Sequence, residues 1–117
     1  MNRTNISGNL TRDAELRQGQ GPVLRFTVAV NDRQRNRETG EWEDHANFIP
    51  CILFGKRAES LASKLTKGLK VALEGRLHYS SWDAKDGSKR SALEVYVDDL
   101  DFFSKKSDGL YDEEIPF

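Results

Sequence analysis

Asn47-Phe48-Ile49-Pro50-Cys51-Ile52-Leu53-Phe54-Gly55-Lys56-Arg57-Ala58-Glu59-Ser60-Leu61-Ala62-Ser63-Lys64-Leu65-Thr66-Lys67-Gly68-Leu69-Lys70-Val71-Ala72-Leu73-Glu74-Gly75-Arg76-Leu77 changes its hydrophobic period twice. Asn47 to Phe54 is a short apolar run and reads as a strand. Pro50 stands inside it, which a strand tolerates only at an edge or a bulge. Ala58, Leu61, Ala62 and Leu65 then fall at i, i+3, i+4 and i+7. That spacing predicts an amphipathic helix of about three turns, ended by Gly68. Leu69, Val71, Leu73, Gly75 and Leu77 return to period two, in a strand that runs on toward Trp82. One helix set between two strands is the order that decides the fold.

Working outward, Asn5 to Leu10 alternates with Ile6, Gly8 and Leu10 on one side, a half-buried strand that Ala14 to Arg17 continues briefly. Gln18-Gly19-Gln20-Gly21-Pro22 is a turn by its glycines and proline. Val23 to Asn31 is a second strand, with Leu24, Phe26, Val28 and Val30 facing one way. Asp32 to Ala46 lacks apolar periodicity and is full of charge, so it reads as a long hairpin loop. After the helix and fourth strand, Asp83 to Ser88 forms another hairpin loop, and Leu93, Val95 and Val97 mark a last strand extending toward Phe103. Three strands, one helix and two strands, with no internal repeat, predict an all-β, five-stranded OB-fold: a Greek-key barrel whose helix lies between strands three and four. An SH3-like barrel does not need the helix, and a ferredoxin-like fold needs a second one. The predicted domain covers residues 1–103, followed by a short linker at 104–111 and an acidic tip at 112–117.

The chain has 117 residues and a formal net charge of −1. A chain of this length buries roughly two-thirds of its unfolded surface, enough for a core without staples. The charge is unevenly placed. Residues 1–97 carry 16 Lys and Arg against 12 Asp and Glu, a net of +4, and residues 98–117 carry 2 against 7, a net of −5. A basic body points toward a polyanion partner and an acidic end toward something basic, against the plainer reading of a solvated surface. Cys51 is the one cysteine, so no intramolecular disulfide forms, and with only His45 and His78 beside it no metal site is expected. No run approaches the roughly 18 apolar residues of a membrane span. The N-terminal residues lead straight into patterned sequence without an apolar signal segment, so the expected location is the cytoplasm.

Catalysis has little support. Neither histidine sits in a nucleophile or base signature, no glycine-rich phosphate cradle is present, and no cofactor is implied. Asp98, Asp99 and Asp101 read as a solvated strand edge rather than a metal site. The aromatics are more informative, because cations are interleaved with them. Arg33, Arg35 and Arg37 precede Trp42; Lys56 and Arg57 follow Phe54; Lys85, Lys89 and Arg90 follow Trp82. Unpaired bases reward that alternation, since a ring stacks on the base while a nearby cation meets the phosphate, at about 1–3 kcal/mol per stacked base. A duplex hides those base faces, so the pattern favours single strands. Phe48 and Phe54 sit in an apolar strand, where core packing is the competing reading. Trp42 and Trp82 stand in charged surroundings, where an exposed indole calls for a partner. At the C-terminus, Asp112-Glu113-Glu114-Ile115-Pro116-Phe117 places three acids before an apolar end, a shape suited to a basic pocket with an apolar floor.

With these residues in view, the chain resembles the bacterial single-stranded DNA-binding protein family. The resemblance rests on Asn9 to Arg17, Phe26 to Val30, Phe48 to Glu59, Lys67-Gly68, Val71 to Leu77 and the closing Asp112 to Phe117, in that order. It implies an OB-fold that assembles as a homotetramer and wraps single-stranded DNA without sequence preference. It also implies a tip, Asp112, Glu113, Glu114, Ile115, Pro116 and Phe117, that recruits replication, recombination and repair proteins. The family's stacking positions fall on Phe48, Phe54 and Trp82, and its backbone-binding positions on Lys56 and Lys67. Together the residues and the resemblance nominate Phe48, Phe54, Trp82, Trp42 and Tyr79 for stacking, and Arg3, Arg33, Arg35, Lys56, Arg57, Lys67, Arg76, Lys85 and Lys89 for the DNA backbone.

The chain also departs from the family pattern. A family aromatic early in the second hairpin falls on Gln34, for which Trp42 is the substitute. His78-Tyr79-Ser80-Ser81 stands where the family often carries arginine or lysine, and Pro50 occupies a position that is basic in some members. Fewer phosphate contacts and a shallower salt dependence follow. The runner-up reading is therefore an oligomeric interaction adaptor with weak DNA affinity, and a barrel nuclease is a distant third. Only Ser104 to Tyr111 separate barrel and tip, a reach of at most about 29 Å. The tip is thus expected to stay near its own barrel, where competition with DNA for the basic surface is a hypothesis to test.

Overall fold

A computed structural model describes residues 1–103; the linker and tip read at 104–117 lie outside the described residues. The elements are β1 (Thr4–Leu10), β2 (Glu15–Arg17), β3 (Val23–Arg35), β4 (Trp42–Phe54), α1 (Lys56–Leu61), β5 (Lys70–Asp83) and β6 (Lys89–Phe103). The sheet order is β1-β5-β6-β4-β3-β2, and β1 also pairs with β3 through Asn9↔Ala29 and Leu10↔Val28. That last pairing closes the barrel. β1 and β2 act as the two halves of one bent first strand, so five strands encircle the core, as the element order predicts. The fold is the OB barrel.

Alternation sorts the side chains as read. Leu24, Phe26 and Val28 of β3, Cys51 and Leu53 of β4, Val71 and Leu73 of β5, and Val95 and Val97 of β6 are buried together with Leu10. Gly8 and Gly75 let neighbouring backbones approach: a Cβ at Gly8 would land on the Ala29 carbonyl oxygen, and one at Gly75 on that of Tyr96. Pro50 removes no ladder bond. The Thr27 carbonyl accepts from the Thr11 N–H, so Thr27 points its polar groups away from its partner Pro50. The proline nitrogen therefore faces the other edge of β4, which pairs with β6 only at Cys51 and Ile52.

Two expectations need correction. Asp32 to Ala46 is not a long loop. β3 and β4 remain paired to Arg35↔Trp42, which leaves only 36–41 as the turn. Both faces of this arm are solvated, so its strands carry no apolar alternation to read. The helix is also shorter than three turns. Beyond Leu61 the chain unwinds: the Leu65 N–H still bonds to the Leu61 carbonyl, but the Leu65 carbonyl accepts from Ala14 and the Gly68 N–H donates to Leu10. Ala58 and Leu65 are nonetheless fully buried, so the spacing reported burial correctly and helix length incorrectly. Gly55 takes φ 86°, a left-handed turn that redirects the chain from β4 into α1.

Candidate nucleic-acid interface

Directly opposed residues in a paired ladder share a face. On β3 and β4 the outward pairs are Val23↔Phe54, Arg25↔Ile52, Ala29↔Phe48, Arg33↔Asp44 and Arg35↔Trp42. On β5 and β6 they are Arg76↔Tyr96, His78↔Glu94, Ser80↔Ala92 and Trp82↔Arg90. The parallel pairing Ile52↔Tyr96 joins both sets into one continuous outer surface. Phe48 is 64% exposed, Phe54 49%, Trp42 59% and Trp82 49%. Core packing does not account for Phe48 or Phe54, because Cys51 and Leu53 hold the inward positions of β4 and these rings stand outside the barrel. Trp42 and Trp82 lie near the tips of two projecting arms, with Phe48 and Phe54 on the sheet between them.

At the centre, Tyr96 joins three strands. Its ring meets Phe54 edge-on, with centroids 5.1 Å apart, and His78 lies flat on it at 4.1 Å and 18°. Neither Tyr96 nor His78 was nominated from the sequence, although the inward positions of Val95 and Val97 already place Tyr96 outward. Arg25 Nη1 reaches Glu94 Oε2 at 2.9 Å across β4, on the face where Ile52 is only 2% exposed.

The nominated cations fall into groups. Arg33 and Arg35 stand on the aromatic face of the β3–β4 arm, with Asp44 opposite Arg33, while Asp32 and Glu43 occupy its reverse. Lys56 and Arg57 open α1 directly after Phe54, and Arg57 Nη1 donates to the Asp98 carbonyl at 2.8 Å. Arg76 Nε lies 3.4 Å from Asp98 Oδ2; the sheet bulge between Glu74 and Gly75 leaves Asp98 without a cross-strand partner, beside Arg76. Lys85 sits in the turn of the β5–β6 arm, where Lys89 is paired with Asp83 at 3.8 Å. Arg3, just before β1, lies 3.7 Å from Glu74. These pairs are exposed and contribute about 0–1 kcal/mol each, little enough for a phosphate to compete. Lys67 is placed apart, in the turn before β5, where its N–H donates to Asp13 at the β1–β2 junction. Tyr79 is exposed on the opposite face of the arm from Trp82, paired with Leu93. Among the described residues, no three His, Cys, Asp or Glu side chains are placed to hold a metal ion, and no helix is long and apolar enough to cross a membrane.

Residues 1–103 match the model of the single-strand binding protein family. The chain belongs to that family. A single-stranded DNA-binding protein of Borreliella burgdorferi is 43% identical over 108 residues, covering 90% of this chain and 71% of the relative. One from Clostridium perfringens is 38% identical over 112 residues, covering 93% and 70%. Among solved structures, a Plasmodium falciparum SSB in complex with ssDNA superposes with a TM-score of 0.79 at 22% identity, over 89% of this chain and 96% of that one. A deletion mutant of the single-stranded DNA-binding protein of Thermus aquaticus superposes at 0.76 with 28% identity, over 91% of this chain and 52% of that one. These likenesses match the family resemblance and the barrel read from the sequence.

Proposed function

We propose that this protein binds single-stranded DNA without sequence preference. Bases stack on Phe48, Phe54, Trp82 and Trp42, and phosphates meet Arg33, Arg35, Lys56, Arg57 and Lys85, with Arg3, Arg76 and Lys89 released from their carboxylates. Tyr79 serves a strand that wraps the far side of its arm, and Lys67 one that continues round the barrel end. The observation that carries this reading is one outer face presenting four exposed large rings beside cations. In this reading the protein is not an enzyme. It acts as a cytoplasmic homotetramer with residues 1–103 as the DNA-binding domain, and the tip at 112–117 recruits replication, recombination and repair proteins. Membership of the family and the names of its relatives support it.

A second reading, the oligomeric adaptor with weak DNA affinity, is favoured by Glu94 on the same face and by the pairing of Arg3, Arg76 and Lys89 with carboxylates. Titration with poly(dT) at several salt concentrations, following tryptophan fluorescence, separates the two. Strong quenching that weakens with salt supports binding; absence of quenching at moderate salt supports the adaptor. Light scattering on the same samples reads the assembly mass. Deleting Asp112–Phe117 tests the tip, with tighter DNA binding at low salt the expected result.

A further inference from the structure

We propose that Asn2 is a positioning residue that clamps the root of the β5–β6 arm and so sets the aim of Trp82. The inference rests on the single-stranded DNA-binding reading and deepens it. β1 pairs with β5 as far as Thr4↔Gly75, and the same register carried two residues further puts Asn2 opposite Leu77. There a side-chain amide takes over the ladder. Asn2 Nδ2 donates to the Leu77 carbonyl at 2.9 Å, and Asn2 Oδ1 accepts from the Leu77 N–H at 2.8 Å. A primary amide carries a donor and an acceptor side by side, so it satisfies both groups of a strand edge at once.

Leu77 lies in the last row of the sheet that neighbouring strands support. It pairs with Val95 of β6, and Val95 pairs with Cys51 of β4. β4 therefore braces one edge of the arm and Asn2 the other. Among the described residues, the backbone beyond this row bonds only to itself, and Arg25 on Glu94 is a side-chain tie on the β6 side alone. Packing adds little on the β5 side, since Leu77 is 45% exposed and Arg76, His78 and Tyr79 are exposed as well. The bulge between Glu74 and Gly75 interrupts the ladder just below, and a bulged strand bends there. Trp82 stands five residues out from Leu77, about 17 Å along the strand. A tilt of about 10° at the root moves its ring by about 3 Å over that length, enough to lose a stacked base.

The test compares the wild type with Asn2→Ala and Asn2→Gln, as full-length protein without an N-terminal tag. Asn2→Ala is also combined with Trp82→Ala and with Phe48→Ala. Anisotropy of a labelled oligo(dT) reads binding, and amide hydrogen exchange reads the arm. Asn2→Ala is expected to weaken binding about fivefold, because the ligand must then order an arm that is no longer held. The loss should shrink below about twofold where Trp82 is already gone, and stay whole where Phe48, which stands on the barrel, is gone. Exchange should quicken at 77–83 and 89–94 while the core strands keep their protection. Asn2→Gln keeps donor and acceptor on a longer stem and recovers part of the loss. An equal loss in all three backgrounds means that Asn2 does not act through Trp82 and overturns the proposal, as does full affinity in Asn2→Ala. Faster exchange throughout β1, β3 and β4 makes Asn2 a support of the barrel only and also overturns it. No binding by the wild type removes the DNA-binding reading itself, and this proposal with it.

Discussion

Arg25 on β3 and Glu94 on β6 meet at 2.9 Å across the intervening strand β4, on the surface that carries Phe48 and Phe54. The pair places a carboxylate on the face proposed to bind DNA, as Asp44 does opposite Arg33, and it holds Arg25 on a carboxylate rather than open to a phosphate.

Glu94→Gln keeps the shape and removes the charge. It should tighten oligo(dT) binding about threefold at low salt and steepen the salt dependence by about 0.7, because Arg25 becomes available. The cost in stability is about 1 kcal/mol, since the Arg25 side chain is 52% exposed although that of Glu94 is only 14% exposed. Fluorescence titration and thermal melting read the two effects separately. Unchanged affinity would place Glu94 outside the DNA path.

The four exposed rings differ from core residues in what their removal does. Phe48→Ala, Phe54→Ala and Trp82→Ala should each weaken DNA binding by about 1–3 kcal/mol while leaving the melting temperature nearly unchanged. Trp42→Ala should follow the same pattern. Phe54→Ala should cost most, because it also removes the edge contact that holds Tyr96. Binding by isothermal calorimetry alongside melting curves decides whether the rings serve the ligand or the fold.

The barrel and the position of its helix were legible because burial imposes a period, and Leu24-Phe26-Val28 and Val71-Leu73 report it directly. The β3–β4 arm was not legible. From Asn31 to Ala46 neither face is covered, so its ladder of backbone bonds left no trace in the pattern of side chains. For Phe48 and Phe54 composition leaves stacking and core packing both open; the parity set by Cys51 and Leu53 turns them outward, at 64% and 49% exposure. Tyr96 and His78 were missed because each is ordinary in its own strand. Their significance lies in the 4.1 Å stack between strands, which periodicity within one strand does not carry.

Close backbone approach makes Gly75 a sensitive position. An added Cβ meets the Tyr96 carbonyl oxygen and Val95 Cγ1, beside the bulge that separates Glu74 from Gly75. Gly75→Ala should therefore cost about 1–3 kcal/mol or more, with the melting temperature falling about 4 °C or more for each kcal/mol. Gly8→Ala should behave similarly against Ala29. Gly19→Ala is the control, since its added Cβ meets nothing within 4 Å.

Cys51 is 1% exposed in the core, and desolvation pushes its thiol pKa from 9.0 up to about 12. The folded protein thus holds the proton where the unfolded chain releases it. Between pH 9 and 12 the unfolded state binds fewer protons, so stability is fully present below the lower value and falls as pH rises toward the upper one. Cys51→Ala lacks this titration. Its stability, lower at neutral pH because a buried group is lost, should decline less steeply in alkali than that of the wild type. In native protein the thiol should resist a thiol-reactive probe at neutral pH and react only on unfolding, so labelling rates should track urea concentration. Rapid labelling without denaturant would mean that the barrel opens around β4 far more readily than its packing implies.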